Sequence, residues 1–82
     1  MTAPDDRALA SRVGACIREA RAASGLSRNR VARSAGLTSR ELSRYEAGKA
    51  LPCPRDVKAL AGACGIGVGE MIGADLLDSL PD

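Results

Sequence analysis

Between Gly25 and Lys49 the chain reads GLSRNRVARSAGLTSRELSRYEAGK, and the spacing of its small and apolar residues admits few arrangements. Counted from Arg28, Val31 and Ala32 fall fourth and fifth, Ala35 eighth, Gly36 ninth, Leu37 tenth, Leu42 fifteenth and Tyr45 eighteenth. This spacing predicts a helix over about 28–35, a tight turn, and a second helix over about 39–46. Ala32 stands where the two helices cross, and a larger side chain there would push them apart. Gly36 falls where the chain reverses through a left-handed conformation that Gly adopts without strain. Leu42 and Tyr45, one turn apart, face back toward Val31 and Leu37.

Local capping signals agree with these boundaries. Ser27 is placed to cap the first of the two helices. Thr38-Ser39-Arg40-Glu41 has the form of a capping box, in which Thr38 accepts from the Glu41 amide and Glu41 reaches back to the Thr38 amide. Upstream, Leu9, Val13, Cys16, Ile17 and Ala20 recur at helical spacing, which predicts a helix from Asp5 or Asp6, either of which can cap it, to about Ser24. Downstream, Pro54 suits the first turn of another helix whose inner face is Val57, Leu60, Ala61 and Cys64, closed by Gly65. A last short helix is expected over about Gly69 to Ile72, with continuation through Leu76 and Leu77 left open, and weakened by Gly67, Gly69 and Gly73. Each interior Gly costs about 1 kcal/mol relative to Ala. The expected organisation is a lead-in over 1–8, one helical domain over 9–73, and an acidic tail over 74–82.

Charge is distributed unevenly along the 82 residues. Residues 27–58 carry eight basic and three acidic side chains, whereas from 59 onward there are four acids and no base. A basic helix pair beside an acidic end points to a polyanion on one face and something else on the other. The bland alternative is a solvated charged surface. Tyr45 is the only aromatic residue, so the core must be built from aliphatic side chains and Cys. No apolar run approaches membrane-spanning length, and the start of the chain lacks the pattern of a signal peptide, so a cytoplasmic location is expected. Three Cys, an odd number without a secretion signal, argue for reduced thiols rather than a disulfide framework.

The pattern resembles the lambda-repressor-like (Cro/C1, Xre-type) helix-turn-helix family. The likeness extends to Ile17-Arg18-Glu19-Ala20-Arg21 with Gly25-Leu26-Ser27, to Glu46-Ala47-Gly48-Lys49 followed by Pro52, and to Val57, Leu60, Ala61, Cys64-Gly65-Ile66 and Glu70-Met71-Ile72. It covers roughly residues 9–73. The resemblance implies an all-α, five-helix domain that binds double-stranded DNA and regulates transcription, as a homodimer on a two-fold related operator, with no cofactor. Its recognition helix would present Ser39, Arg40, Ser43 and Arg44 to base edges. Arg40 is the leading reader, because its guanidinium fork matches the two acceptors of guanine. Arg28, Ser27, Thr38 and Lys49 would contact phosphates, with Arg30, Arg33 and Arg55 behind them. For Arg33 a solvated helix face is an equal alternative, and for Glu41 the capping role outweighs reading cytosine. Arg21 and Glu46 match an ion pair that relatives use to tie the first helix to the end of the recognition helix. Tyr45 reads as core before it reads as a phosphate donor.

Other classes of function find less support. Cys16, Cys53 and Cys64 are scattered and lack a His partner, so no metal site is expected. Without His, and without Ser or Cys beside a plausible base, an enzyme is remote. The main rival is a protein-interaction module of the same fold, antitoxin-like or an adaptor, acting through the fifth helix and the acidic tail.

Overall fold

A computed structural model of the chain describes residues 4–80. Six helices follow one another, with no strand among the described residues: α1 (Pro4–Ser24), α2 (Arg28–Ala35), α3 (Ser39–Glu46), α4 (Pro54–Cys64), α5 (Val68–Met71) and α6 (Ala74–Asp78). Residues 4–8, expected as a lead-in, belong to α1, which opens on Pro4 at a position where its missing N–H is no loss. Met1 to Ala3, and the Asp5 and Asp6 side chains expected to cap this helix, lie outside the described part of the chain.

The turn between α2 and α3 follows from its residues. Gly36 adopts φ 76°, and the Leu37 N–H donates to the Ala32 carbonyl at 2.8 Å, closing the last turn of α2. Ser27 Oγ accepts from the Arg30 amide at 3.1 Å. At the start of α3 both arms of the capping box form, Glu41 N–H to Thr38 Oγ1 at 3.0 Å and Thr38 N–H to Glu41 Oε1 at 2.9 Å. With their ends satisfied, both helices turn one apolar stripe inward: Val31 and Ala32 from α2 and Leu42 from α3 are fully buried. They meet Val13 and Ile17 of α1 and Val57 and Leu60 of α4 in one aliphatic cluster.

The helix count corrects the sequence-based expectation of five. Gly73, at φ 80° and ψ 154°, ends α5 and redirects the chain into α6. Leu76 and Leu77 are half-buried and Leu80 joins the core at 7% exposure, so residues 74–80 are not a free tail. Burying an aliphatic side chain of this size is worth about 1.5–3 kcal/mol. Asp75 and Asp78 remain exposed, so the acids do not oppose the packing. The short α5 lacks a side-chain N-cap, and Glu70 Oε1 accepts the Gly67 amide at 3.3 Å instead.

One buried glycine sets how closely α1 approaches α3. A Cβ built on Gly14 would overlap the carbonyl oxygen of Tyr45 and stand 3.1 Å from that of Glu46. Both neighbours are backbone, so neither can swing aside. A methyl at this position forces the helices apart, and overpacking of this kind costs about 1–3 kcal/mol, more than the better helix propensity of Ala returns. Gly14→Ala is therefore expected to lower the unfolding free energy by about 2 kcal/mol, read from urea denaturation. A variant as stable as the parent would show that α1 and α3 separate without penalty.

Candidate nucleic-acid interface

The recognition-helix residues singled out from sequence sit on α3 between two tethered ends. Arg40 and Arg44, four residues apart and so on one helical face, are both exposed, while Ser39 and Ser43 are half-buried. Ser27, Arg28, Thr38 and Lys49 are exposed as well. The oxygens of Ser27 and Thr38 accept backbone amides as caps, which leaves the Ser27 hydroxyl hydrogen available to an anion, while that of Thr38 is turned to the Glu41 carboxylate. The Lys49 amide donates to the Arg44 carbonyl at 2.9 Å, closing the far end of α3. Along α2, Ser27, Asn29, Arg30, Arg33 and Ser34 line a shallow recess continuous in sequence with the α2 cap.

The acids near this surface are occupied internally. Glu41 is held in the capping box, and the hydrogen bond from the Thr38 backbone, with that from its hydroxyl, keeps its carboxyl below the usual range. Glu46 is buried, its side chain 3% exposed. Arg21 grips it with two bonds, Nε to Oε2 at 2.6 Å and Nη2 to Oε1 at 3.1 Å, and a further Arg21 nitrogen donates to the Leu26 carbonyl at 3.2 Å. The bond to Glu46 raises the Arg21 pKa further, against the opposing effect of burial. Arg28 Nε also reaches Glu46 Oε1, at 3.3 Å. Arg28, read from sequence as a phosphate contact, is thus tied at its inner edge to α3 while its side chain stays 46% exposed.

Two contacts were not legible in the sequence. The Ser39 hydroxyl donates to Asn29 Oδ1, joining the first turns of α2 and α3. The Tyr45 hydroxyl donates to Asp56 Oδ2 at 2.8 Å, so this half-buried phenol anchors α3 to α4. Both pair side chains from different helices, and no local spacing announces them. Desolvation first, and the Asp56 carboxylate second, push the Tyr45 phenol up to about 12.

The thiols lie elsewhere. Cys16 and Cys64 line a groove with Ala20, Ala23, Ile66 and Met71 between α1 and the α4–α5 end. Burial pushes the Cys64 thiol up and keeps it protonated. Cys53 is half-buried. Among the described residues no cluster of three or more His, Cys, Asp or Glu could hold a metal ion, and no helix is long and apolar enough to cross a membrane.

Two helices joined by a glycine turn, the second with outward arginines, define a helix-turn-helix unit, a class that places its second helix in the DNA major groove. Residues 12–71 match the family model of a helix-turn-helix domain, and the chain belongs to that family. A search of curated proteins finds none that matches.

Removal of Arg21 leaves the buried Glu46 with Arg28 alone. Breaking a buried pair in this way costs about 3–5 kcal/mol. Because Arg28 remains, Arg21→Ala is expected to lose about 3 kcal/mol in urea denaturation, and a change within error would mean that the pair is dispensable. A raised phenol pKa favours the neutral form in the folded chain. The stability it confers is complete below the ordinary value of 10.0 and is lost as pH climbs from there through about 12. The phenolate absorbance of this single tyrosine should accordingly titrate well above 10, and Asp56→Asn should bring the midpoint down. A midpoint at the ordinary value would show the hydroxyl open to water.

Proposed function

We propose that the chain is a sequence-specific double-stranded DNA-binding transcriptional regulator of lambda-repressor-like type. On this reading it is a homodimer on a two-fold related operator, with half-sites about 34–36 Å apart. The observation that carries the reading is the division of charge on α3: its two acids are committed to a cap and a buried pair, while Arg40 and Arg44 face outward. A helix that neutralises its own carboxylates and leaves its arginines exposed is suited to a groove lined with phosphates and base acceptors. Ser39, Arg40, Ser43 and Arg44 are assigned to bases. Ser27, Thr38 and Lys49 are assigned to phosphates, together with the exposed edge of Arg28. The chain is a binding protein and catalyses nothing.

The exposed acids Glu70, Asp75 and Asp78 on α5 and α6 favour a second reading, a protein partner at that end. Truncation is a poor way to probe it, since it removes the buried Leu80.

Selection from random duplexes at two salt concentrations tests the primary reading. A palindromic motif that survives the higher salt is the expected outcome. Weak, salt-erased binding without a motif would overturn it in favour of the protein-partner reading. Arg40→Ala is expected to weaken binding to the selected site about ten-fold or more while the thermal melt stays unchanged. Full retention of affinity would remove Arg40 from the base-reading set.

A further inference from the structure

We propose that Arg7 and Lys49 clamp one DNA backbone phosphate past the C-terminal end of α3, so that the footprint outruns the helix-turn-helix. The inference rests on the DNA-binding reading above and adds to it a binding site and a residue of α1. Arg7, Gly14 and Arg21 follow one another at intervals of about two helical turns and so share one face of α1. Gly14 and Arg21 turn that face to α3, against the Tyr45 carbonyl and the Glu46 carboxylate. Because α3 ends at Glu46, the part of α1 before Gly14 lies alongside the turn that follows. Gly48, at φ 73°, lets the two backbones meet, since a Cβ there would stand 3.0 Å from Ser11 Cα. Arg7, one turn before Ser11, and Lys49, next to Gly48, therefore line the same recess.

The walls of this recess suit an anion. Ala10, Gly48, Ala50 and Leu51 complete it, so among the described residues it is lined by two cations and no acid. Both cations are exposed. The Lys49 amide is occupied by the Arg44 carbonyl, whereas those of Ala50 and Leu51 donate to no carbonyl among the described residues. Two like charges gathered without an acid repel each other, and a phosphate between them reverses the sign of that interaction. An arginine fork and a lysine ammonium can share the two free oxygens of one phosphodiester. Lys49 comes just after α3, so this phosphate lies at the far end of the helix from Ser39 and Arg40. A contact of this kind adds affinity and fixes orientation without reading sequence.

The test uses the duplex enriched by selection, an unrelated duplex, and copies of the first with single phosphates replaced by neutral methylphosphonates. Arg7→Gln and Lys49→Gln are each expected to weaken binding to both duplexes about ten-fold. Each should also lower the slope of log affinity against log salt by about one, with motif and thermal melt unchanged. Arg7→Lys, which keeps the charge, should keep the salt slope of the parent. One methylphosphonate position should weaken the parent yet leave both Gln variants unaffected, which marks the shared phosphate. Arg7→Gln with the affinity and slope of the parent overturns the clamp while the DNA-binding reading stands. Variants that are insensitive at two different phosphates do the same. So does inorganic phosphate that binds the recess while duplex affinity stays independent of Arg7. A parent that binds no duplex overturns both.

Discussion

The carboxylate of Glu46 is where three helices are held together. It lies at the C-terminal end of α3, where the helix carbonyls already concentrate negative charge, and it is almost wholly removed from water. An unpaired charge buried there would carry a large desolvation cost. Arg21 from α1 and Arg28 from α2 supply the compensating charge, and their hydrogen bonds fix the position of each helix against the third. Gly14 makes the arrangement sterically possible, since the backbone of α1 can reach the α3 carbonyls only where no side chain intervenes. At its other end α3 is tied by the capping box and by the contact of Ser39 with Asn29. A helix fixed at both ends carries its exposed arginines on a rigid support, which is what geometric discrimination between bases requires.

Much of this was legible because the constraints are local. The bounds of α2 and α3, the turn at Gly36 and the capping box all follow from spacing within a few residues, and each of those residues does what its chemistry prescribes. The buried faces of α1 and α4 were legible for the same reason, as periodicity. What escaped depends on contacts between distant segments. Gly14 stands in mid-helix, where a glycine is a penalty unless something lies against it, and that something is thirty-odd residues away. Asp56 carries no local sign of its partner, because the Tyr45 hydroxyl that donates to it comes from another helix. The sixth helix was obscured by composition: three aspartates from 75 onward suggested a solvated tail, while Leu76, Leu77 and Leu80 sit at spacings that bury them once Gly73 turns the chain.

The nearly aromatic-free composition explains the close packing. Val, Ile, Leu, Ala and Cys fill little volume each, so helices of this length exclude water only by approaching closely. Gly14 against the α3 carbonyls and Gly48 against Ser11 are places where backbones approach too closely for a side chain. The same economy of volume leaves a groove beside Cys64 and Met71, where small residues of α1 do not reach across to α5.

The sharing of Glu46 between two arginines also bears on how the chain meets a polyanion in salt solution. Each phosphate neutralised by a free cation releases condensed counterions, and that release makes binding fall as salt rises. Arg21 is already neutralised inside the fold, and Arg28 leans on the same carboxylate before any phosphate arrives. One carboxylate offsets only one of the two guanidinium charges, so the triad keeps a net positive charge at the exposed edge of Arg28. On the proposed DNA-binding reading, counterion release is set by that one charge and the exposed Arg7, Arg30, Arg33, Arg40, Arg44, Lys49 and Arg55, with no share from Arg21.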